Sequence, residues 1–341
     1  MRVLYLTHPI FYRHQAGRHH PERPARLGAV EQGVVASGLE IDRVEPPEAE
    51  EQLLELAHAP AYISGVRDVI AAGGGRFDPD TAAGPDSWEA AVRAAGSGPH
   101  AVRLLEGGTE SVALLAVRPP GHHALRDRAM GFCLFNNAAI TARYLQRRGE
   151  RVAIIDWDVH HGNGTDAEFE GDPDVFYISA HQWPYYPGTG ALDRVGEGPG
   201  EGFTINAALP AGTGGDVYRR LFREMVIPRL RRYAPDWILV SCGFDAHHLD
   251  PLAGLRLTEG DYHFMAEQSL EVVPPNRILI FLEGGYNLDA IAGSTQAMLL
   301  GMAGRPYRSS TPTQVSSAGS HRALERLLDI HDRVPGWEPK P

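Results

Sequence analysis

The residues best suited to chemistry lie in one short segment, Asp156-x-Asp158-x-His160. In an extended strand, residues two apart point the same way, so two carboxylates and an imidazole would line one edge of a pocket. Asp and His are both good zinc ligands, and a catalytic zinc site keeps three protein ligands and one open position for water. Asp245 follows another apolar run and is the natural third ligand, although alone it is more typical of a turn or a helix cap.

Histidine is the next unusual feature, with 16 in the chain and eight of them in adjacent pairs at 19–20, 122–123, 160–161 and 247–248. The pair His122-His123 follows Pro119-Pro120-Gly121, a stiff approach that sets the direction of the side chains. Beside a metal, one imidazole could take a proton from an attacking water and later deliver it to a leaving amine. Tyr286 follows two glycines and could donate a hydrogen bond to a developing oxyanion, although packing explains a lone tyrosine equally well.

The elements that must position these residues alternate along the chain. Near-continuous Val, Ile and Leu content predicts strands buried on both faces, as in a parallel sheet, at 3–6, 111–117, 152–156, 175–180, 203–209, 237–241 and 278–283. Apolar residues at three- and four-residue spacing predict helices at 21–38, 59–72, 87–105, 136–148, 216–233, 258–272, 288–302 and 322–332.

This alternation predicts an α/β sandwich with a mainly parallel central sheet. Ligands of such sheets bind outside the carboxyl ends of the strands, so the polar segments that follow four of the strands should converge. No Pro/Ser-rich linker divides the pattern before Gly304. We therefore expect one catalytic domain over residues 1–304, followed by a polar linker and a C-terminal helix or tail over 305–341.

Composition narrows the class of protein. The chain has 341 residues, 43 of them acidic and 32 basic, and a net charge of −11 disfavours nonspecific nucleic-acid binding. The apolar runs are strand-sized rather than long enough for a membrane span, and the N-terminal residues do not resemble a signal peptide. Two cysteines cannot make a disulfide framework and are better interpreted as small buried side chains. These features predict a soluble, cytoplasmic protein and leave homo-oligomerisation open.

Several motifs follow one another over roughly residues 1 to 303. They are His19-His-Pro-Glu-Arg-Pro-Ala-Arg-Leu27, Arg118-Pro-Pro-Gly-His-His123, Gly131-Phe-Cys-Leu-Phe-Asn-Asn137, Asp156-x-Asp-x-His-His-Gly-Asn-Gly-Thr165, Pro187-Gly-Thr-Gly190, Gly243-Phe-Asp-Ala246, Asp250-Pro-Leu252 and Glu283-Gly-Gly-Tyr-Asn287. In this order they resemble the zinc-dependent histone deacetylase family, which includes acetylpolyamine amidohydrolases and bacterial deacetylase-like amidohydrolases. Their number makes the resemblance far more specific than any one of them. The variants Gly243-Phe-Asp-Ala246 and Glu283-Gly-Gly-Tyr-Asn287 are similar to the class II branch.

The resemblance implies an arginase/deacetylase-like three-layer α/β/α sandwich and a zinc-dependent amidohydrolase that removes acetyl or other acyl groups from acyl-lysine or related acylamines. Zinc would be held by Asp158, His160 and Asp245. His122 and His123 would be the electrostatic and acid/base pair, with His123 the proton shuttle. Tyr286 would polarise the carbonyl, and Asp156 would orient His122.

The resemblance also implies ions and a substrate channel. A structural potassium ion would involve Asp156, Asp158, His160, Ser179 and Ala180, and a second one the backbone near Phe169, Asp172, Val175 and Phe203. Channel residues would be Phe132, Tyr186, Leu252, Gly131 and His20. Because Asn163 stands where some members have Asp, we predict a lower pKa for His123 than an Asp partner would give.

The substrate stays open between acylated lysine peptides and small acylamines. Polyamine-specific members of the family carry an acidic residue at the channel mouth, where this chain has the uncharged Leu252, and this difference favours acyl-lysine substrates. The net charge of −11 favours polyamines instead, because it attracts cations. Two rival interpretations remain. An arginase-type manganese enzyme would need further carboxylates for a second metal, and a catalytically silent acyl-lysine or metal-binding module would not need His122, His123 and Tyr286.

Overall fold

The computed structural model describes residues 1–107 and 111–334. The strands are β1 Arg2–Leu6, β2 Glu40–Val44, β3 Gly75–Arg76, β4 Ala82–Ala83, β5 Ser111–Leu115, β6 Val152–Asp156, β7 Val175–Gln182, β8 Thr204–Leu209, β9 Trp237–Cys242 and β10 Ile278–Leu282. Eight of them form a central parallel sheet in the order β2-β1-β5-β10-β9-β6-β7-β8, and a short antiparallel pair, β3 and β4, lies apart from it.

Helices cover the sheet and complete the predicted α/β/α sandwich. The helices are α1 Ala25–Ala36, α2 Glu51–Leu54, α3 Pro60–Ala71, α4 Ser87–Leu105, α5 Asn137–Gln146, α6 Asn163–Phe169, α7 Gly215–Leu221, α8 Ile227–Tyr233, α9 Glu259–Ser269, α10 Leu288–Met302 and α11 Ala318–Asp332. In one group α1 and α9 pack against α10, and in another α4 packs against α5. None of the helices in the described part of the chain has the length and apolar character that a membrane span requires.

The inner strands are the ones that sequence pattern identifies. Every residue of β5, β6, β9 and β10 is buried, as expected for strands covered on both faces. The prediction misses the short pair β3 and β4 and one strand of the central sheet, β2. The strand β2 lies at the sheet edge and is only partly buried, so its charged side chains hide the strand signal. The predicted helix at 216–233 is divided into α7 and α8 by a five-residue π-helical segment, Phe222–Val226.

The C-terminal helix α11 is docked on the sheet rather than separate from it. Leu324 and Leu327 are fully buried within the main hydrophobic core. The Thr213 hydroxyl also donates to Ser320 at 2.8 Å. The division of the chain at residue 304 stays a prediction.

Candidate active site

Four neighbouring strands deliver the polar segments to one end of the sheet. The strands β5, β10, β9 and β6 lie side by side and run parallel, so the segments that follow their carboxyl ends come together there. Asp156 is the last residue of β6, and the segments with the His pair, Asp245 and Tyr286 follow β5, β9 and β10. The predicted convergence is therefore present in the structure.

Asp158, His160 and Asp245 form a compact group of metal-ligand side chains. One ligand atom from each lies within 4.8 Å of the other two. His160 Nδ1 lies 3.0 Å from Asp158 Oδ1 and 3.3 Å from Asp245 Oδ2. The Val159 amide donates to Asp245 Oδ1 at 2.9 Å, and the Gly284 amide donates to Asp158 Oδ2 at 2.7 Å. Backbone amides thus hold both carboxylates in place.

This group fits a divalent metal ion. Apart from its ion pair with His160 Nδ1, Asp245 Oδ2 is buried without a hydrogen-bond donor, which leaves this oxygen free to coordinate a metal. A β-carbon on Gly243 would overlap the Asp158 carboxylate, and one on Gly284 would overlap the carboxylates of both Asp158 and Asp245, so the glycines keep the space around these oxygens open. Burial lowers the pKa of His160, but its two carboxylate neighbours outweigh this effect and raise the pKa to about 10. A metal binding here must therefore displace a proton from the imidazole.

His122 and His123 lie next to each other with opposite electrostatic surroundings. Their ring centroids are 4.0 Å apart. His122 Nδ1 lies 3.0 Å from Asp156 Oδ2; burial lowers the pKa of His122, but Asp156 and Asp158 outweigh it and raise the pKa to about 10. His123 Nδ1 lies 2.8 Å from Asn163 Oδ1. Burial, and then the charges of His122 and His160, hold the pKa of His123 well below its usual range.

This contrast makes His122 the cation and His123 the neutral imidazole at neutral pH. Two adjacent titratable groups whose surroundings drive their pKa values apart are suited to different steps of acid–base chemistry. Asp156, which also accepts a hydrogen bond from the Tyr177 hydroxyl at 3.1 Å, is the partner predicted for His122. Asn163 is the partner predicted for His123.

Tyr286 completes the arrangement from the loop after β10. Its amide donates to Asp250 Oδ2 at 2.7 Å, and the Arg26 guanidinium lies 5.3 Å from its ring centroid. Burial, together with the Asp245 charge, raises the pKa of the Tyr286 hydroxyl well above its usual range. The phenol therefore remains a hydrogen-bond donor at neutral pH.

A cavity of about 220 Å³, which we call the inner cavity, opens onto these groups. It is lined by His122, His123, Asp158, His160 and Tyr286, and by four of the five predicted channel residues, Gly131, Phe132, Tyr186 and Leu252. The fifth, His20, is not part of the lining but packs edge-to-face against the Phe132 ring with centroids 4.4 Å apart. His19, His247 and His248 also lie outside the lining.

Four further residues, to which the sequence analysis assigns no role in the site, line the inner cavity: Asp80, Pro120, Tyr185 and Gly284. Tyr185 stacks on His160 with centroids 5.6 Å apart, and its hydroxyl donates to the Leu252 carbonyl. Asp80 belongs to the loop between β3 and β4, and the backbone carbonyl of this residue lies 3.1 Å from His20 Nε2. Tyr185 could have been found from the sequence, because it is an aromatic residue directly before the predicted channel residue Tyr186. Nothing in the loop sequence indicates that Asp80 lines the cavity.

The predicted potassium residues occupy neighbouring strands. Ser179 on β7 pairs in register with Asp156 on β6. The Ser179 hydroxyl lies 2.9 Å from His181 Nδ1, and the Ala180 carbonyl accepts from the Tyr218 hydroxyl at 2.9 Å. At the second predicted site the Phe169 carbonyl accepts from the Asp172 amide at 2.9 Å. Both ion sites stay predictions.

Comparison with known proteins agrees with this geometry. Residues 20–302 match the model of the histone deacetylase domain. An uncharacterized protein of Synechocystis, slr0245, is 42% identical over 83% of this chain and 94% of its own length. The rice protein named histone deacetylase 10, chloroplastic, is 37% identical over 89% of this chain and 74% of its own length.

Among solved structures, the crystal structure of the HDA15 HD domain superposes with a TM-score of 0.88 at 33% identity, covering 96% of this chain and 94% of that one. The family match and these identities together support a deacetylase, and hence a hydrolase, activity. The chain belongs to the histone deacetylase family.

Proposed function

We propose that the protein is a zinc-dependent amidohydrolase that removes acetyl or other acyl groups from the side chains of acyl-lysine peptides. The observation that carries this proposal is the metal-ligand group of Asp158, His160 and Asp245. Two of its members, Asp158 and His160, line the cavity that His122, His123 and Tyr286 also line. A binding module without catalysis would have no use for this combination of acid, base and phenol.

Asp158, His160 and Asp245 would hold the metal. Zinc in such a site supplies a Lewis acid that polarises a carbonyl and lowers the pKa of water. Among residues 1–107 and 111–334, these three side chains form the one group of His, Cys, Asp and Glu with metal-ligand spacing. This favours a single zinc over the paired manganese ions of an arginase-type enzyme.

His123 would carry the proton. Its low pKa leaves the imidazole neutral, so it can accept a proton from the water that attacks the acyl carbon. The same proton would then pass to the amine nitrogen as the carbon–nitrogen bond breaks, releasing the free amine and a carboxylic acid, which gives up its own proton to solvent at neutral pH. His122, held as a cation by Asp156, would favour the negative charge that develops beside it.

Tyr286 would donate a hydrogen bond to the carbonyl oxygen of the substrate as negative charge develops on it. Phe132 and Tyr186, facing into the same cavity, would grip the methylene groups of the acylated side chain. We also propose that Asp156, Asp158, His160, Ser179 and Ala180 surround a structural potassium ion. A cytoplasmic location stays a prediction.

A second candidate substrate class, acetylated polyamines, is favoured by one observation. Leu252 carries no charge, which favours acyl-lysine, but Asp80 supplies a carboxylate to the same cavity. A carboxylate at this position could attract the ammonium group of a polyamine. The choice between the two substrate classes therefore depends on whether the Asp80 carboxylate contributes to substrate binding.

Steady-state hydrolysis of an acetyl-lysine peptide and of acetylputrescine, by the wild type and by Asp80→Asn, decides between them. Our proposal predicts a higher kcat/KM for the peptide in the wild type. A higher kcat/KM for acetylputrescine, reduced selectively by Asp80→Asn, would establish the polyamine alternative. No hydrolysis of any acylamine by the zinc-loaded protein would contradict both and favour a silent module.

A further inference from the structure

A second and larger cavity, of about 640 Å³, lies beside the inner cavity. We call it the outer cavity. One side of this cavity is formed by α6 and the residue that follows it. The residues involved are Asn163, Asp166, Ala167 and Glu170, and their spacing of three and four residues places them on the same side of the helix. The loop residues 187–191 line another side. Its volume falls in the range of about 300–1,000 Å³ typical of small-molecule sites.

The two cavities share a wall. Tyr186 lines the inner cavity, and the next residue, Pro187, lines the outer one. Met130 likewise lines the outer cavity, while the two residues that follow it line the inner one. His123 and Asn163 stand on opposite sides of the same wall, and the hydrogen bond of 2.8 Å between them crosses it. A molecule in the outer cavity would therefore lie against the direct partner of His123.

Neighbouring groups hold the outer cavity in shape. His161 Nδ1 lies 2.8 Å from the Thr189 hydroxyl, which ties the start of α6 to the 187–191 loop. The Asn163 amide group donates to Met130 Sδ at 3.4 Å. The Leu125 amide donates to the Arg128 carbonyl at 2.9 Å, closing a tight turn at the rim. The walls are thus built from hydrogen-bonded segments.

The lining indicates what kind of molecule would fit. Leu125, Met130 and Trp183 provide apolar surface. Two of the charged side chains in the lining, Arg194 and Glu170, form an ion pair with each other, and Asp166 Oδ2 lies 3.2 Å from His161 Nε2. Arg128 is exposed and its guanidinium has no hydrogen-bond or ion-pair partner in the described part of the chain. Arg128 is therefore the one charged side chain of the lining that has no partner among the described residues.

We propose that the outer cavity binds an amphipathic organic anion, with its apolar body against Trp183 and Met130 and its charge on Arg128, and that the bound molecule alters turnover through Asn163. Contact with the Asn163 side chain would change the hydrogen bond that positions His123. The binding site is independent of the reaction, whereas its effect on turnover rests on the proposed role of His123.

Fluorescence titration with 8-anilinonaphthalene-1-sulfonate, an aromatic sulfonate, tests the binding. We expect one saturable site with energy transfer from tryptophan. Arg128→Gln should weaken this binding by about threefold or more, the effect of losing one exposed charge contact. Ala167→Phe, which fills the cavity from an exposed position of α6, should abolish it. The matched control is Arg126→Gln, because Arg126 is also exposed but lies outside the lining.

Hydrolysis of an acetyl-lysine peptide at increasing probe concentration tests the coupling. We expect kcat to change at saturating peptide, and the change to disappear in Ala167→Phe. The absence of saturable binding, or equal binding by Ala167→Phe and the wild type, would overturn the site. Inhibition that raises KM alone, or binding with no effect on kcat, would overturn the coupling. Binding is measured by fluorescence and does not require activity. A protein that hydrolyses no substrate would therefore refute the proposed function, and the titration alone would still decide whether the binding site exists.

Discussion

Replacing Asn163 with aspartate puts a carboxylate in place of the neutral amide beside His123. In the structure, Asn163 Oδ1 lies 2.8 Å from His123 Nδ1. Burial and the neighbouring charges of His122 and His160 already hold the pKa of His123 well below its usual range. A negative charge at residue 163 would favour the imidazolium and raise this pKa.

The size of the change follows from the geometry. Opposite unit charges about 4 Å apart attract by about 4 kcal/mol at an effective dielectric constant of about 20. Asn163 is 8% exposed, so the cost of burying the new carboxylate offsets part of this gain. Since one pKa unit corresponds to about 1.4 kcal/mol, we expect the pKa of His123 to rise by about 1 to 3 units.

The assay is the pH dependence of kcat/KM for an acetyl-lysine peptide. His123 must be neutral to accept a proton, so a higher pKa moves the acidic limb of the profile to higher pH and lowers activity in mild acid. The matched control is Gln32→Glu, which adds the same charge on an exposed position of α1. An acidic limb that stays in place, or moves to lower pH, in a folded Asn163→Asp variant refutes the assignment of His123 as the base.

Three further predictions concern single contacts. Tyr286→Phe removes the phenol that would stabilise the oxyanion, and kcat should fall by about 10²–10³-fold while KM for the peptide changes little. Gly284→Ala places a β-carbon against the carboxylates of the metal group, so it should weaken zinc binding, measured with a competing chelator, by about 10–100-fold. The control is Gly65→Ala, where a β-carbon meets no neighbour and zinc affinity should stay unchanged. Equal zinc affinity in the two variants would contradict the proposed metal site. Glu22 is buried against Arg118, and although burial raises the pKa of Glu22, the arginine charges outweigh it and lower the pKa to about 2. Glu22→Gln should lower the free energy of unfolding by about 3–5 kcal/mol at neutral pH, as breaking a buried ion pair does. In the wild type this stabilisation is present above the unfolded-state pKa near 4.5 and is lost as the pH falls toward 2. Denaturant unfolding of the wild type and of Glu22→Gln should therefore show a smaller difference in the free energy of unfolding at pH 2.5 than at pH 7. The same difference at both pH values would contradict the reasoning.

The metal group could be predicted from sequence because its residue types suit a metal and its members follow two continuous apolar runs, the strands β6 and β9. The extended geometry expected for residues 156–160 was wrong, because β6 ends at Asp156 and residues 158–160 form a bend. The convergence of four strand ends follows from the rules of parallel sheets. Roles within the His pair come from resemblance, because composition and spacing cannot tell His122 from His123.

What could not be predicted depends on contacts between segments distant in sequence. Asp80 reaches the inner cavity because its loop folds over from the β3–β4 pair, and no local pattern encodes that approach. The sequence after Gly162 is typical of a loop, yet α6 begins at Asn163, because the glycines and polar residues that suggest a turn also mask a short helix. The outer cavity depends on α6, so the sequence pattern does not predict it either.

The most direct test of the central claim is hydrolysis of an acetyl-lysine peptide by the protein before metal removal, after removal with a chelator, and after addition of one equivalent of zinc. We predict that activity is lost on chelation and restored by zinc, and that an Asp245→Asn variant, which lacks one proposed ligand, is not restored. Full activity in the metal-free protein, or activity that returns only with two equivalents of manganese, would contradict the mononuclear zinc site.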